Sequence, residues 1–170
     1  MRFFHISDLH FGKLLYGYDL TEEHRNFIEQ LGDYCDKYNP DAVLIAGDVY
    51  DRSVPSADAM TLLDELLNKL SGRKVFIISG NHDNAKRLSF GKDFLKKHDI
   101  YISTVPQTGE NEKIEKVTFA DEYGNVNIYM LPFLKPALFK NSMPEEAAAG
   151  EDAIIKKLVE NTDIDKNERN

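Results

Sequence analysis

Residues 75–84 read VFIISGNHDN, and the change of character at Gly80 decides the fold. An apolar run without polar alternation suits a strand buried on both faces, and this one ends abruptly. A turn accounts for Gly80, Asn81 and Asp83, because Gly and Asn accept positive φ and Asn and Asp bond their own backbone. A turn does not account for His82. An imidazole at the exit of a buried strand is therefore a candidate for chemistry.

Working outward, residues 2–7 (RFFHIS), 42–46 (AVLIA) and 74–79 (KVFIIS) share one form, and each is expected to be a fully buried strand. Helix-length segments separate them. The first, near 20–38, opens with Asp19 and Glu22 in a capping-box arrangement and sets Phe27, Ile28, Leu31 and Tyr34 at helical spacing. The second, near 57–70, follows Ser56, repeats Leu62, Leu63, Leu66, Leu67 and Leu70, and stops at Gly72. A third helix is expected over 86–97. This alternation is the βαβ signature of a mostly parallel sheet, so the chain is assigned to the α/β class.

From about residue 100 the pattern changes. Segments 100–103, 113–119 and 126–131 read as strands of a second sheet, the last two joined by a turn that contains Gly124. Residues 131–136 (LPFLKP) form a loop punctuated by proline, and 145–161 reads as a helix followed by the polar tail DIDKNERN.

The 170 residues, 42% hydrophobic and 29% charged, suit one globular domain. The single Cys35 excludes an internal disulfide, and no stretch has the apolar length of a leader or a membrane span, so a cytoplasmic protein is expected. A formal net charge of −8 works against partners held by bulk electrostatics, nucleic acid and anionic membranes included. If the protein handles a polyanion, bound divalent metal is the obvious source of attraction.

Three short motifs leave the three apolar strands: Asp8-Leu9-His10, Gly47-Asp48-Val49-Tyr50-Asp51 and Gly80-Asn81-His82-Asp83. In a parallel sheet the carboxyl ends share one edge, where open α/β sheets place their ligands. Carboxylate, imidazole and amide oxygen are donors for Mn²⁺, Fe²⁺ or Zn²⁺, and no thiol is offered. Two ions about 3.5–4 Å apart would need a shared carboxylate, and Asp48 on the middle motif is the natural bridge. Gly47 and Gly80 let the chain turn sharply so that the next side chain points into the site. Asp8 and His10 alone would be read as an ordinary strand-ending turn; it is the combination of motifs that carries the assignment.

In this order the motifs D-x-H, G-D-x-x-D and G-N-H-D resemble those of the calcineurin-like metallophosphoesterases. FHISDLHFGK at 4–13 and GDVYDRSVPS at 47–56 look most like the DNA nucleases that work with an SbcC-type ATPase. The resemblance covers most of the chain. It implies a layered αββα sandwich with mostly parallel and mixed sheets, of which residues 1–170 are the N-terminal part of a nuclease domain. It implies two divalent ions, Mn²⁺ first among Mg²⁺, Fe²⁺ and Zn²⁺, with Asp8 and His10 on the first, Asp48 on both and Asn81 on the second. His82 would meet the scissile phosphate, and Asp51 would support His82 or the substrate.

Arg52 and Arg87 are candidates for DNA phosphate contacts. A homodimer through the helices near 57–70 and 86–97 is also implied, although packing is the first role of their leucines and phenylalanines. The family completes its site with a later histidine and a G-H-x-H motif, and neither is present. His5 is expected in the core, and His24 and His98 on helix surfaces. The chain is therefore expected to be C-terminally incomplete and weak or inactive alone. Two other functions remain open: a protein or small-molecule phosphatase of the same superfamily, and a module that only binds a partner. The first is disfavoured by Ser53 and Asp83, where phosphatases carry Gly and Glu.

Overall fold

The computed structural model of the protein describes residues 1–105 and 112–170, which form two compact units, Met1–Thr104 and Val105–Asn170. Among the described residues, no helix is long and apolar enough to cross a membrane.

The first unit is built on strands β1 (Phe3–Ile6), β4 (Ala42–Ala46), β5 (Lys74–Ile78) and β6 (Ile100–Ser103). They pair in the order β1-β4-β5-β6, every pair parallel. Between β1 and β4 lie a small antiparallel hairpin, β2 (Leu14–Leu15) and β3 (Tyr18–Asp19), and then helix α1 (Thr21–Tyr38); α2 (Ala57–Lys69) connects β4 to β5. This is the α/β class that the alternation predicts.

Burial explains the layout. Val43 and Ile45 of β4 and Val75 and Ile77 of β5 are almost fully buried, and they share one cluster with Ile28, Leu31 and Cys35 of α1 and Leu62 and Leu66 of α2. Each such aliphatic side chain contributes roughly 1.5–3 kcal/mol when removed from water. The helices also pair through Arg25 with Glu65 and Lys69 with Glu29.

Several expectations are corrected. Strand β1 is not fully buried: it is an edge strand whose residues alternate between exposed and half-buried, so His5 is exposed. The capping box at α1 does not form, because Asp19 accepts from Thr21 N at 2.8 Å while Glu22 turns to Arg25. Ser56 does cap α2, accepting from Ala59 N at 3.2 Å. The helix expected over 86–97 is two short pieces, α3 (Ala85–Leu88) and α4 (Lys92–Leu95), followed by a 3₁₀ turn (Lys96–His98). Gly91 separates them at φ 74°, a left-handed value that a continuous helix excludes. Segment 100–103 belongs to the first sheet, as β6 beside β5. His24 is half-buried, its ring edge-on to Phe11, and burial pushes its pKa below the usual value.

The second unit holds an antiparallel pair, β7 (Glu115–Asp121) and β8 (Gly124–Met130), with Gly124 at φ 108° in the turn. A 3₁₀ turn (Pro136–Phe139) and helices α5 (Pro144–Ala149) and α6 (Glu151–Asn161) follow. Gly150, at φ 114°, divides the single helix expected there. Phe139, Ile154 and Leu158 are fully buried in a cluster with Ile114, Leu134 and Met143. The C-terminal segment returns to β8: Asn127 N donates to the Arg169 carbonyl at 2.9 Å, and Arg169 binds Asp121.

Candidate metal centre

The motif loops extend the parallel pairing past the strand ends. Asp8 N donates to the Gly47 carbonyl at 3.1 Å, His10 N to Asp48 O at 2.9 Å, Phe11 N to Val49 O at 2.9 Å, and Asp51 N to Phe11 O at 3.1 Å. The first two loops are thereby zipped together. Asp8, His10 and Asp48 take φ values of 56°, 48° and 49°, a left-handed conformation that Asp and His tolerate better than most residues. It turns their side chains off the line of the strand. Gly47, at φ 91°, lies against Gly80: a Cβ on Gly47 would stand 2.9 Å from Gly80 Cα.

Three of the predicted ligands meet. His10 Nε2 is 3.7 Å from Asp8 Oδ1 and 4.0 Å from Asp48 Oδ2, and the donor atoms of the three residues all lie within 4.8 Å of one another. Bonds of about 2 Å to a shared ion span such separations, so the set fits a divalent cation by spacing as well as by donor type. His10, Asp51 and His82 form a second such group. Asn81 is exposed beside His82, and its side-chain amide makes no hydrogen bond among the described residues.

His82 is exposed, and its ring stands edge-on to His10 with centroids 4.9 Å apart. Its Nδ1 lies 2.8 Å from the Asp51 carbonyl oxygen. A carbonyl only accepts, so Nδ1 carries the proton and Nε2 is the outward nitrogen. That carbonyl, reinforced by the charges of Asp48 and Asp51, raises the His82 pKa against the opposing effects of desolvation and Lys13. The Asp51 carboxylate is directed elsewhere: Oδ1 is 3.3 Å from His10 Nδ1, and Oδ2 is 3.8 Å from Arg52 Nε. Asp51 therefore meets His82 through its backbone and His10 through its side chain.

Arg52 is 70% exposed and lines a cleft of about 470 Å³ with Phe11, Leu14, Val54 and Ser56. Arg87 is exposed on α3, and its guanidinium makes no ion pair among the described residues.

Sequence reasoning missed Asp83, to which it gave no role beyond finishing a turn. The residue is 7% exposed, and its carboxylate accepts the backbone N–H groups of Gly80, Val49 and Tyr50. Burial, with the Asp83 charge adding to it, pushes the Tyr50 phenol up to about 12. A carboxylate facing two successive amides of another strand's loop leaves no mark in sequence spacing.

The carboxyl ends of β1, β4 and β5 thus bring aspartates and histidines together, in the motif order that resembles the calcineurin-like phosphoesterases. That family matches the chain over residues 1–166, and the chain belongs to it. Its members are metal-dependent phosphoesterases. Among curated proteins, the SbcD component of the SbcCD nuclease of Staphylococcus epidermidis is 34% identical over 136 residues, which cover 78% of this chain and 34% of that protein. The chain spans about a third of the length of that relative.

Proposed function

We propose that this chain belongs to the nuclease component of an assembly with an SbcC-type ATPase, which hydrolyses phosphodiester bonds of DNA by a two-metal mechanism. Its likeness to a component of a nuclease supports the substrate class. The observation that carries the chemistry is the meeting of Asp8, His10 and Asp48 beside a histidine held by a backbone carbonyl. Two divalent ions, Mn²⁺ foremost and Mg²⁺, Fe²⁺ or Zn²⁺ as alternatives, supply an activated water and a clamp on the phosphoryl oxygens when bound. Asp8 and His10 would hold the first, Asp48 would be shared by both, and Asn81 would contribute its amide oxygen to the second.

The remaining steps belong to the chain's own residues. The Asp51 carbonyl fixes the His82 tautomer and favours its protonated form, so Nε2 presents a proton to the leaving oxygen. The Asp51 carboxylate stands behind the His10 ring, 3.3 Å from Nδ1, where carboxylates behind metal-bound imidazoles stand. Arg52 and Arg87 contact flanking phosphates without reading sequence. The exposed Phe90 and Phe94, 86% and 65% accessible, support pairing with a second copy through the 86–97 segment.

His82→Ala tests the assignment. Cleavage is expected to fall by about 10²–10⁴-fold while Mn²⁺ uptake is kept; lost uptake would make His82 a ligand and overturn its role. Cleavage of duplex ends in preference to a nitrophenyl phosphomonoester separates a nuclease from a phosphatase.

A further inference from the structure

The second and third motif loops bind one another in both directions. Asp48 Oδ1 accepts the backbone N–H of His82 at 2.9 Å. In return, Asp83 Oδ1 accepts from Tyr50 N at 3.0 Å, and Asp83 Oδ2 accepts from Val49 N at 3.2 Å and from Gly80 N at 2.8 Å. Each of the two aspartates thus holds backbone amides of the opposite loop. A buried carboxylate must recover its lost hydration from such donors, and three of its roughly four acceptor positions are filled. Asp83 is therefore no metal ligand.

We propose that Asp83 is a positioning residue for the metal centre, fixing which oxygen of Asp48 faces the ions. The inference rests on the metallophosphoesterase reading of the site. Asp48 has two oxygens: Oδ1 is bound to His82 N, and Oδ2 stands 4.0 Å from His10 Nε2. That choice holds only while His82 N stays opposite Asp48. The path of residues 80–83 sets the place of His82 N, and Asp83 ties that path to Val49 and Tyr50, the two residues directly after Asp48. The glycine backbones of the two loops are in contact beneath it, which leaves no room for an intervening water. Among the described residues, Asp83 supplies every side-chain hydrogen bond from residues 80–83 to residues 49 and 50, while His82 ties the same loops through its N–H to Asp48 Oδ1 and its Nδ1 to the Asp51 carbonyl.

Asp83→Asn is the direct test, since the amide keeps the shape but turns an NH₂ toward backbone donors. In the 170-residue chain, Mn²⁺ affinity read by water-proton relaxation is expected to fall about tenfold or more. Amide hydrogen exchange is expected to accelerate selectively at Val49, Tyr50 and Gly80. Leu66→Ala, which loosens the α2 packing without touching these loops, should keep wild-type Mn²⁺ affinity under conditions where it remains folded. Wild-type affinity in folded D83N, or acceleration spread over the whole sheet as in L66A, overturns the proposal. If D83N does not fold, Asp83→Glu is read in the same way: its extra methylene shifts the loops and should also weaken Mn²⁺ binding, and unchanged affinity overturns the proposal. Failure of both variants to fold would make Asp83 a requirement of the fold and overturn it too. A wild-type chain that takes up no Mn²⁺ would defeat the metal reading itself, whereas uptake equal in wild type and D83N defeats only the clamp.

Discussion

Asp8, His10 and Asp48 each sit at a φ near +50°, where a non-glycine residue costs on the order of 1–3 kcal/mol. The sheet compels this by carrying its backbone bonding past the strand ends, so these three side chains are turned by the fold itself. The adjoining Gly80 shows how little space is left. A Cβ there would overlap Asp48 Oδ1 and the Asp48 backbone nitrogen and stand 2.7 Å from Asp48 Cγ. Gly80→Ala must therefore displace the Asp48 carboxylate. It is expected to destabilise the chain by about 1–3 kcal/mol in denaturant unfolding and to weaken Mn²⁺ binding in a metal titration. An alanine variant that binds Mn²⁺ like wild type would show that this approach does not matter. Gly80 is legible because a glycine after a buried strand signals a turn. Asp83 is not, because two of its three partners lie more than thirty positions upstream and all are backbone groups that any residue supplies.

At the scale of elements, the second motif sits between β4 and α2, and the start of α2 limits how far that loop can move. Ser56 satisfies one of the amides that every helix start leaves unpaired. Ser56→Ala is expected to cost about 1 kcal/mol in denaturant unfolding, and Ser56→Asp should recover most of it; a neutral alanine would mean that solvent caps the helix equally well. This element is readable because a cap followed by leucines at helical spacing is a local signal. The central strands are readable for a similar reason, as short apolar runs bounded by turn residues. What fails is non-local. The chemistry of residues 2–7 resembles that of 42–46, but only the strand order puts β1 at an edge and exposes His5. Segment 100–103 is recognisable as a strand, yet its pairing with β5 depends on a partner more than twenty positions away. Gly91 and Gly150 break helices that apolar spacing alone would continue.

Charge acts at the scale of the whole molecule, first within the second unit. Arg169 binds Asp121 and, with the Tyr123 backbone N–H, holds its carboxyl down to about 2. A carboxyl lowered by folding contributes stability that is present above the ordinary carboxylate value and is lost as pH falls through about 2. In Arg169→Gln, the Asp121 carbon resonance followed by NMR is expected to titrate closer to the ordinary value of about 3.9; a midpoint that stays near 2 would deny the arginine its role. The second consequence concerns the proposed substrate. On that proposal, a net charge of −8 repels a DNA strand, and Arg52 and Arg87 are the candidates to meet its phosphates. Bound metal would then supply most of the attraction. Labelled duplex DNA followed by fluorescence anisotropy should not bind this chain in the presence of a chelator, and Mn²⁺ should restore binding. With two phosphate contacts, the logarithmic salt dependence should have a slope of about −2. Tight binding in chelator, or a slope as steep as about −6, would point to a basic surface that the charge balance does not provide, and would separate DNA binding from the metal centre.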